Sequence, residues 1–393
     1  MTLFQDPDAV PRTAASRLAD VLDAFGAVGD RAAGNAPGTA RRKAAAAASI
    51  ARATGRGADD ANALYFAGLL HAVGAIGNLG LRRGNTFSDR TATMARWDFP
   101  ADGARVCAGI AALPPQVADL VRWQAEAWDG TGFPDQLRWH GIPTDAQLLQ
   151  LADVVARASD PDEALVTVAN LAGRGIGPDH ANAFVRWFHL TGGEPEPVEM
   201  PLDALRAEAT PPAPLLDLLA DRIDAHNAGE GRRLRVTRLA DAVAERIALP
   251  VAERDALGLA ARTFAAGELG HANAEDERFD PLARLGIAAR AENAAAAAAL
   301  FDGNQTFARA AEILRARAAW YDGTGQPALV HDAIPKGAQV LAAAIAYDAL
   351  ESVHRTQIRE VRTAPADRLD TAAGTQFDPA VTRALLAVAK ARV

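Results

Sequence analysis

The sequence predicts an all-α protein of two consecutive, similar halves, on three observations: apolar residues recur at helical spacing, a proline-rich stretch falls near the middle, and the second half echoes the first at a fixed offset. Leu18, Val21, Leu22 and Phe25 mark one helical face, and Leu234, Leu239, Val243 and Ile247 mark another. Alternation typical of half-buried strands is scarce, and Gly, Pro and Asp punctuate the helical segments as short turns.

The break falls between Thr191 and Pro214, where seven prolines and glycines interrupt any continuous helix before Pro214 itself: Gly192, Gly193, Pro195, Pro197, Pro201, Pro211 and Pro212. We therefore expect a first domain over 1–192, a linker over 193–214 and a second domain over 215–393. The repeat supports that division. Trp128-Asp129-Gly130-Thr131-Gly132 returns 193 residues later as Tyr321-Asp322-Gly323-Thr324-Gly325. The same offset sets Gly74 on Gly267, and one deletion later Ile142-Pro143 falls on Ile334-Pro335 and Ala146-Gln147 on Ala338-Gln339. A constant offset over separated segments implies a tandem duplication.

Composition narrows the function classes. The chain has 393 residues, 49% of them apolar, with 49 acidic against 41 basic side chains and a net charge of -8. That balance argues against a surface that coats nucleic acid. The basic trio Arg41, Arg42 and Lys43 reads as a solvated helix start. Cys107 is the single cysteine, so no intrachain disulfide is available; in its apolar setting it reads as a small buried hydrophobe. Met1 to Arg17 does not fit a signal or transit peptide, and the apolar stretches at Ala44 to Ile50 and Ala294 to Phe301 are far shorter than the roughly 18 residues that span a bilayer. These features predict a cytoplasmic protein with no membrane span. Dinucleotide-fold, Walker and nucleophile-elbow signatures are absent.

The most informative piece of each repeat is the aromatic-Asp-Gly-Thr-Gly turn, followed by Ile-Pro and a long helix. Glycines there permit backbone angles that other residues resist, and Pro143 and Pro335 suit a helix start. Trp128 to Pro134, with Gly132-Phe133-Pro134 at its end, then Gly141-Ile142-Pro143 and Leu151-Ala152-Asp153-Val154, resembles the signature of the HD-GYP family. Leu69-Leu70-His71-Ala72-Val73-Gly74-Ala75-Ile76-Gly77 is similar to that family's His-Asp element. In the second half Asp322, Gly323, Thr324, Gly325 and Pro327 resemble the same turn, with Gln326 at the tyrosine position, and 373–379 resembles the family's C-terminal segment.

The resemblance implies two tandem HD-GYP-like helical domains. It further implies descent from hydrolases that cleave cyclic di-GMP with clustered metal ions. Such ions lower the pKa of a bridging water and neutralise phosphate charge, and each needs several converging imidazoles and carboxylates. On this alignment the first half keeps His71, Asp153 and Glu126. It has Ala72 at the bridging Asp, Ala75 at a lysine, Gln124 and Ala125 at paired histidines, and Phe99-Pro100 at a further histidine. The second half has Phe264-Ala265, Glu268, Arg317, Ala318 and Ile345 at the corresponding positions. His71 and Asp153 are read as buried, hydrogen-bonded remnants, and Phe264 and Ile345 as core that has filled the former cavity. The remaining histidines, His140, His180, His189, His226, His271, His331 and His354, show no ligand spacing.

A regulatory or protein-interaction module without catalysis is the reading this favours, with no cofactor, and with a signalling protein or a second copy of the chain as partner. Phe133 and Trp139 are expected to be exposed for such contact. The alternatives are a residual phosphohydrolase holding one divalent ion, such as iron or manganese, at His71, Asp153 and Glu126, and a sensor that binds a cyclic dinucleotide through Arg122, Gln124 and Arg138 without cleaving it.

Overall fold

The structure, a computed structural model, describes residues 13–77, 90–210, 212–226, 231–269, 287–356 and 363–391; the side chains of 90–97, 226, 287, 355 and 356 are outside the description. His271, and the side chain of His226, therefore lie outside the described residues. Among the described residues sixteen α-helices account for the regular structure and no β-strand occurs, only two isolated bridges, Ala172 with Ile176 and Ala373 with Phe377. The chain separates between Leu215 and Leu216 into two compact units.

The first unit holds α1 (Ala14–Ala33), α2 (Thr39–Ala53), α3 (Ala58–Leu69), α4 (Arg90–Ala108), α5 (Gln116–Trp123), α6 (Thr144–Arg157), α7 (Pro161–Leu171) and α8 (Pro178–Thr191). Helix α1 starts where the Thr13 hydroxyl accepts the Ser16 N–H at 3.1 Å, and it stops at Gly34. Between those caps Leu18, Val21, Leu22 and Phe25 are fully buried, the helical face read from the sequence. Each such side chain contributes about 1.5–3 kcal/mol by leaving water. Trp187 of α8 closes the core and donates its indole N–H to Ser49 Oγ on α2 at 3.0 Å.

The proline-rich segment, expected as a linker, lies at the end of the first unit. Residues 202–204 and 207–209 form short 3-10 turns against α1. Arg206 donates to the carbonyls of Ala112 and Leu113, and Thr210 Oγ1 accepts the Ala112 N–H. The prolines stop any continuous helix here, and the hydrogen bonds of Arg206 and Thr210 to Ala112 and Leu113 hold the segment against the first unit.

The second unit holds most of α9 (Pro212–His226), then α10 (Arg232–Arg246), α11 (Val251–Thr263), α12 (Ile287–Ala299), α13 (Ala308–Ala316), α14 (Lys336–Thr356), α15 (Pro365–Thr371) and α16 (Pro379–Lys390). Pro212 and Pro214 fall in the first turn of α9, where a missing N–H costs nothing. Asp378 caps α16 by accepting the N–H groups of Ala380 and Val381.

Candidate functional site

Helices α2 and α3 approach unusually closely because small residues face each other. A Cβ on Gly68 would lie 2.8 Å from Ala44 Cα, so only glycine fits. This approach brings Lys43, next to Ala44, towards the turn that follows α3, which carries His71. A second close approach fixes that turn: a Cβ on Gly74 would sit 1.9 Å from the Phe99 carbonyl oxygen on α4.

One connected polar network fills the space so defined. Lys43 Nζ donates to Gln124 Oε1 and to Asp153 Oδ1, each at 2.9 Å. Arg157 holds the other Asp153 oxygen through Nε at 2.7 Å and reaches Asn35 Oδ1 through Nη1 at 2.9 Å. The Asn35 amide nitrogen bridges Asp30 Oδ1 and His71 Nε2, each at 3.2 Å. Gln124 Nε2 closes the circuit by donating to the His71 carbonyl at 2.7 Å and the Val121 carbonyl at 3.1 Å. Because that nitrogen faces two carbonyls, the Gln124 oxygen must be the atom facing Lys43.

Protonation states follow from the partners. His71 Nδ1 lies 2.9 Å from the Gly68 carbonyl and therefore carries the proton, leaving the Nε2 lone pair to accept from Asn35. His71 is 2% exposed. Its burial, and then the Lys43 ammonium, push its pKa down to about 3, so the ring is neutral. Burial alone would favour a neutral Asp153, but the Lys43 and Arg157 cations outweigh it and hold the carboxyl well below its ordinary range. Lys43 is pulled down by burial against the opposing pull of Asp153. We read the pair as ammonium and carboxylate, since both neighbours of Nζ are acceptors and a charged amine has three hydrogens to give.

A clustered metal centre does not fit this donor set. Both ring nitrogens of His71 and both oxygens of Asp153 are engaged by protein groups, and a cation already stands between Asp153 and Gln124. Among the described residues no group of three or more His, Cys, Asp or Glu side chains is arranged to hold an ion.

The structure brings His71, Asp153 and Gln124 together and places the other candidates elsewhere. Glu126, grouped with the first two on sequence, is 1% exposed and spends its carboxylate on the N–H groups of Asp135 at 2.6 Å and Leu137 at 2.8 Å. Arg122 is held by both oxygens of Asp135, each at 2.7 Å, with Trp123 Nε1 on the same carboxylate. Arg138 is exposed and lies over Gly130, where a Cβ would meet its Nε at 2.3 Å. Trp139 is 59% exposed with φ 51, while Phe133 is half-buried, contrary to its expected exposure. Lys43 is not part of a solvated helix start: it is 2% exposed. Asn35, Arg157 and Asp30 join the network without any mark in the sequence that sets them apart from other polar helix residues.

The Asp-Gly-Thr turn does structural work. Asp129 Oδ1 accepts both the N–H and the hydroxyl of Thr131, and Asp322 Oδ1 does the same for Thr324. Trp128 and Asp129 donate to the Gly175 and Arg174 carbonyls; Tyr321 and Asp322 donate to those of Gln376 and Thr375. Trp139 N–H reaches the Trp128 carbonyl as His331 N–H reaches that of Tyr321. In the second unit Arg317 Nη2 donates to the Phe264 carbonyl at 3.2 Å, as Gln124 does to His71. Phe264 is buried there, whereas Ile345 is half-buried and does not complete a core.

Residues 31–163 match the family model described as HD domain. This stretch of the chain is an HD domain. It takes in every member of the network except Asp30. Among solved structures, the crystal structure of cyclic GMP-AMP-specific phosphodiesterases in V. cholerae has a TM-score of 0.64 at 18% identity, covering 95% of this chain and 97% of that one. At that identity the likeness establishes a shared fold. Comparison with the curated proteins finds no match. Among the described residues no helix is long and apolar enough to cross a membrane.

Proposed function

We propose that this protein is a non-hydrolysing, regulatory member of cyclic-dinucleotide signalling, a tandem pair of HD-GYP-like domains in which an internal lysine has taken over the electrostatic task of the metal ions. The observation that carries the reading is the position of Lys43 Nζ, 2.9 Å from both Asp153 and Gln124, inside the HD domain. A phosphodiester hydrolase of this class needs a metal-activated water, and the side chains that would hold the ion are already paired with one another. The V. cholerae neighbour, a cyclic GMP-AMP-specific phosphodiesterase, supports a cyclic dinucleotide as the kind of signal, and the turn shared by both halves supports duplication. Output would pass through a protein contact in the cytoplasm, with a signalling partner or a second copy. Trp139 is the best-placed anchor, since Glu126 and Arg122 fix the loop that presents it before any partner arrives.

The test is elemental analysis of freshly purified protein together with hydrolysis assays on cyclic di-GMP and cyclic GMP-AMP with added manganese or iron. We expect no stoichiometric metal and no turnover. Turnover that disappears in a His71→Ala variant would return the chain to the enzymes.

A further inference from the structure

In the second unit, the position that corresponds to His71 by the repeat offset is Phe264, and two guanidinium groups gather over its ring. Arg232 Cζ lies 5.1 Å and Arg317 Cζ 6.0 Å from the ring centroid. Arg317 Nε is buried and, among the described residues, has no acceptor; its Nη2 reaches only a backbone carbonyl. Burial pulls the Arg317 pKa down to about 10, so the group stays charged while holding an unsatisfied N–H. The carboxylates that act on this pair are Glu268, whose Oε2 is 3.3 Å from Arg232 Nη1, and Asp224, which faces Arg232 and accepts the Arg233 N–H. Among the described residues Glu268 is the one carboxylate that acts on both arginines. The side chains of Arg232 and Glu268 remain partly exposed to solvent, at 26% and 21%.

We propose that Arg232 and Arg317 form a binding site for a phosphate-class oxyanion in the second unit, with Glu268 as the internal anion that occupies it in the absence of ligand. Guanidinium groups stacked on an aromatic face keep their edge N–H groups free for in-plane acceptors, and phosphate oxygens match that fork. Partial burial lowers the local dielectric and strengthens each contact relative to water. A ligand phosphate would satisfy the orphaned N–H and release Glu268 to solvent. The inference stands whether or not the first unit hydrolyses anything, because none of these residues belongs to the HD-domain network.

Isothermal titration calorimetry on the full chain tests it, first with inorganic phosphate and then with cyclic di-GMP. Glu268→Gln removes the competing charge without loss of volume and is expected to tighten phosphate binding by about tenfold, the equivalent of about 1.4 kcal/mol. Arg317→Met and Arg232→Met are expected to weaken it by about tenfold or more, with Arg317→Lys recovering part. Circular dichroism melts establish that each variant is folded; should the methionine variants unfold, the Glu268→Gln result decides alone. Cyclic di-GMP binding more tightly than phosphate, and losing that advantage in Arg317→Lys, identifies a nucleotide phosphate as ligand; equal affinities identify the free anion. No phosphate binding by the wild type, or a Glu268→Gln variant that binds no better, overturns the proposal. Metal content and hydrolysis, the readouts for the first unit, do not enter any of these outcomes.

Discussion

Replacing Lys43 by Met keeps most of the aliphatic stem and deletes the ammonium, so it isolates the charge from the packing. Lys43 lies 2% exposed and makes two hydrogen bonds of 2.9 Å, one to a carboxylate. Breaking a buried ion pair by removing one partner costs about 3–5 kcal/mol, chiefly because the surviving charge is left uncompensated. Here the survivor is partly relieved: Asp153 keeps Arg157 Nε at 2.7 Å and its side chain is 31% exposed. That relief removes about half of the penalty, while the Gln124 oxygen loses its donor at a cost of about 1 kcal/mol. We therefore expect Lys43→Met to destabilise the first unit by about 3 kcal/mol, measured by urea unfolding at neutral pH with a probe local to that unit. Trp187, in its core, supplies one by fluorescence. The double variant Lys43→Met/Asp153→Asn removes both charges and is expected to be less damaging than the sum of the two single changes by at least about 1 kcal/mol. A neutral Lys43→Met, or additive single changes, would refute the claim that this ammonium neutralises the site.

Two further outcomes follow from the same geometry. His71 is held at about pKa 3 in the fold against an ordinary 6.5, so between those values the folded chain binds fewer protons than the unfolded one. Stability is then full above about pH 6.5 and falls on acidification at up to about 1.4 kcal/mol per pH unit, and His71→Gln should flatten that slope in urea titrations from about pH 7 to about 4.5. Asp30, raised by burial, works in the opposite direction, and Asp153, held low, adds its own loss only below about pH 4, so the comparison belongs above that value. Glu126→Ala strips two N–H groups of their acceptor and should cost about 2–3 kcal/mol, while limited proteolysis within 135–140 accelerates; unchanged cleavage would show that the loop holds itself.

Helical class and the Asp-Gly-Thr turn were legible because each leaves a local or periodic mark, the turn by repeating its own residues. His71 and Asp153 were reached through the family resemblance, and in the structure they are joined through Asn35, Arg157, Lys43 and Gln124 rather than to each other. Lys43 was hidden by its neighbours: beside Arg41 and Arg42 it looks like one cation among three. Helical phase held the missing clue, since Ala40 and Ala47, three residues before and four after it, are buried. Glu126 misled for a different reason. Its partners are main-chain N–H groups, which carry no side-chain signature, so the sequence offered only its proximity to the turn. The proline-rich segment showed where helices stop but not that Arg206 would anchor it to Ala112 and Leu113.

The two units resolve one electrostatic problem in opposite ways. Imidazole and carboxylates pointed at each other in a low-dielectric interior repel, or draw in protons, unless a cation sits among them. The first unit keeps His71, Asp30 and Asp153 and supplies the cation covalently, from Lys43 on α2, with Arg157 sharing the load at the rim. In the second unit Phe264 stands at the imidazole position, and Arg317, at the position of Gln124, has a backbone carbonyl, the ring and a counter-charge in Glu268 that it shares with Arg232. A site that carries its own counter-charge needs no external ion, and here the hydrogen bonds of Lys43 tie α2 to α6 and to Gln124 at the end of α5. A site left with surplus donors is open to an external anion. Ligand response is therefore expected in the second unit and stability in the first, and hydrogen exchange with and without phosphate separates them: protection should rise around Arg232, Phe264 and Arg317 and stay unchanged around Lys43 and His71.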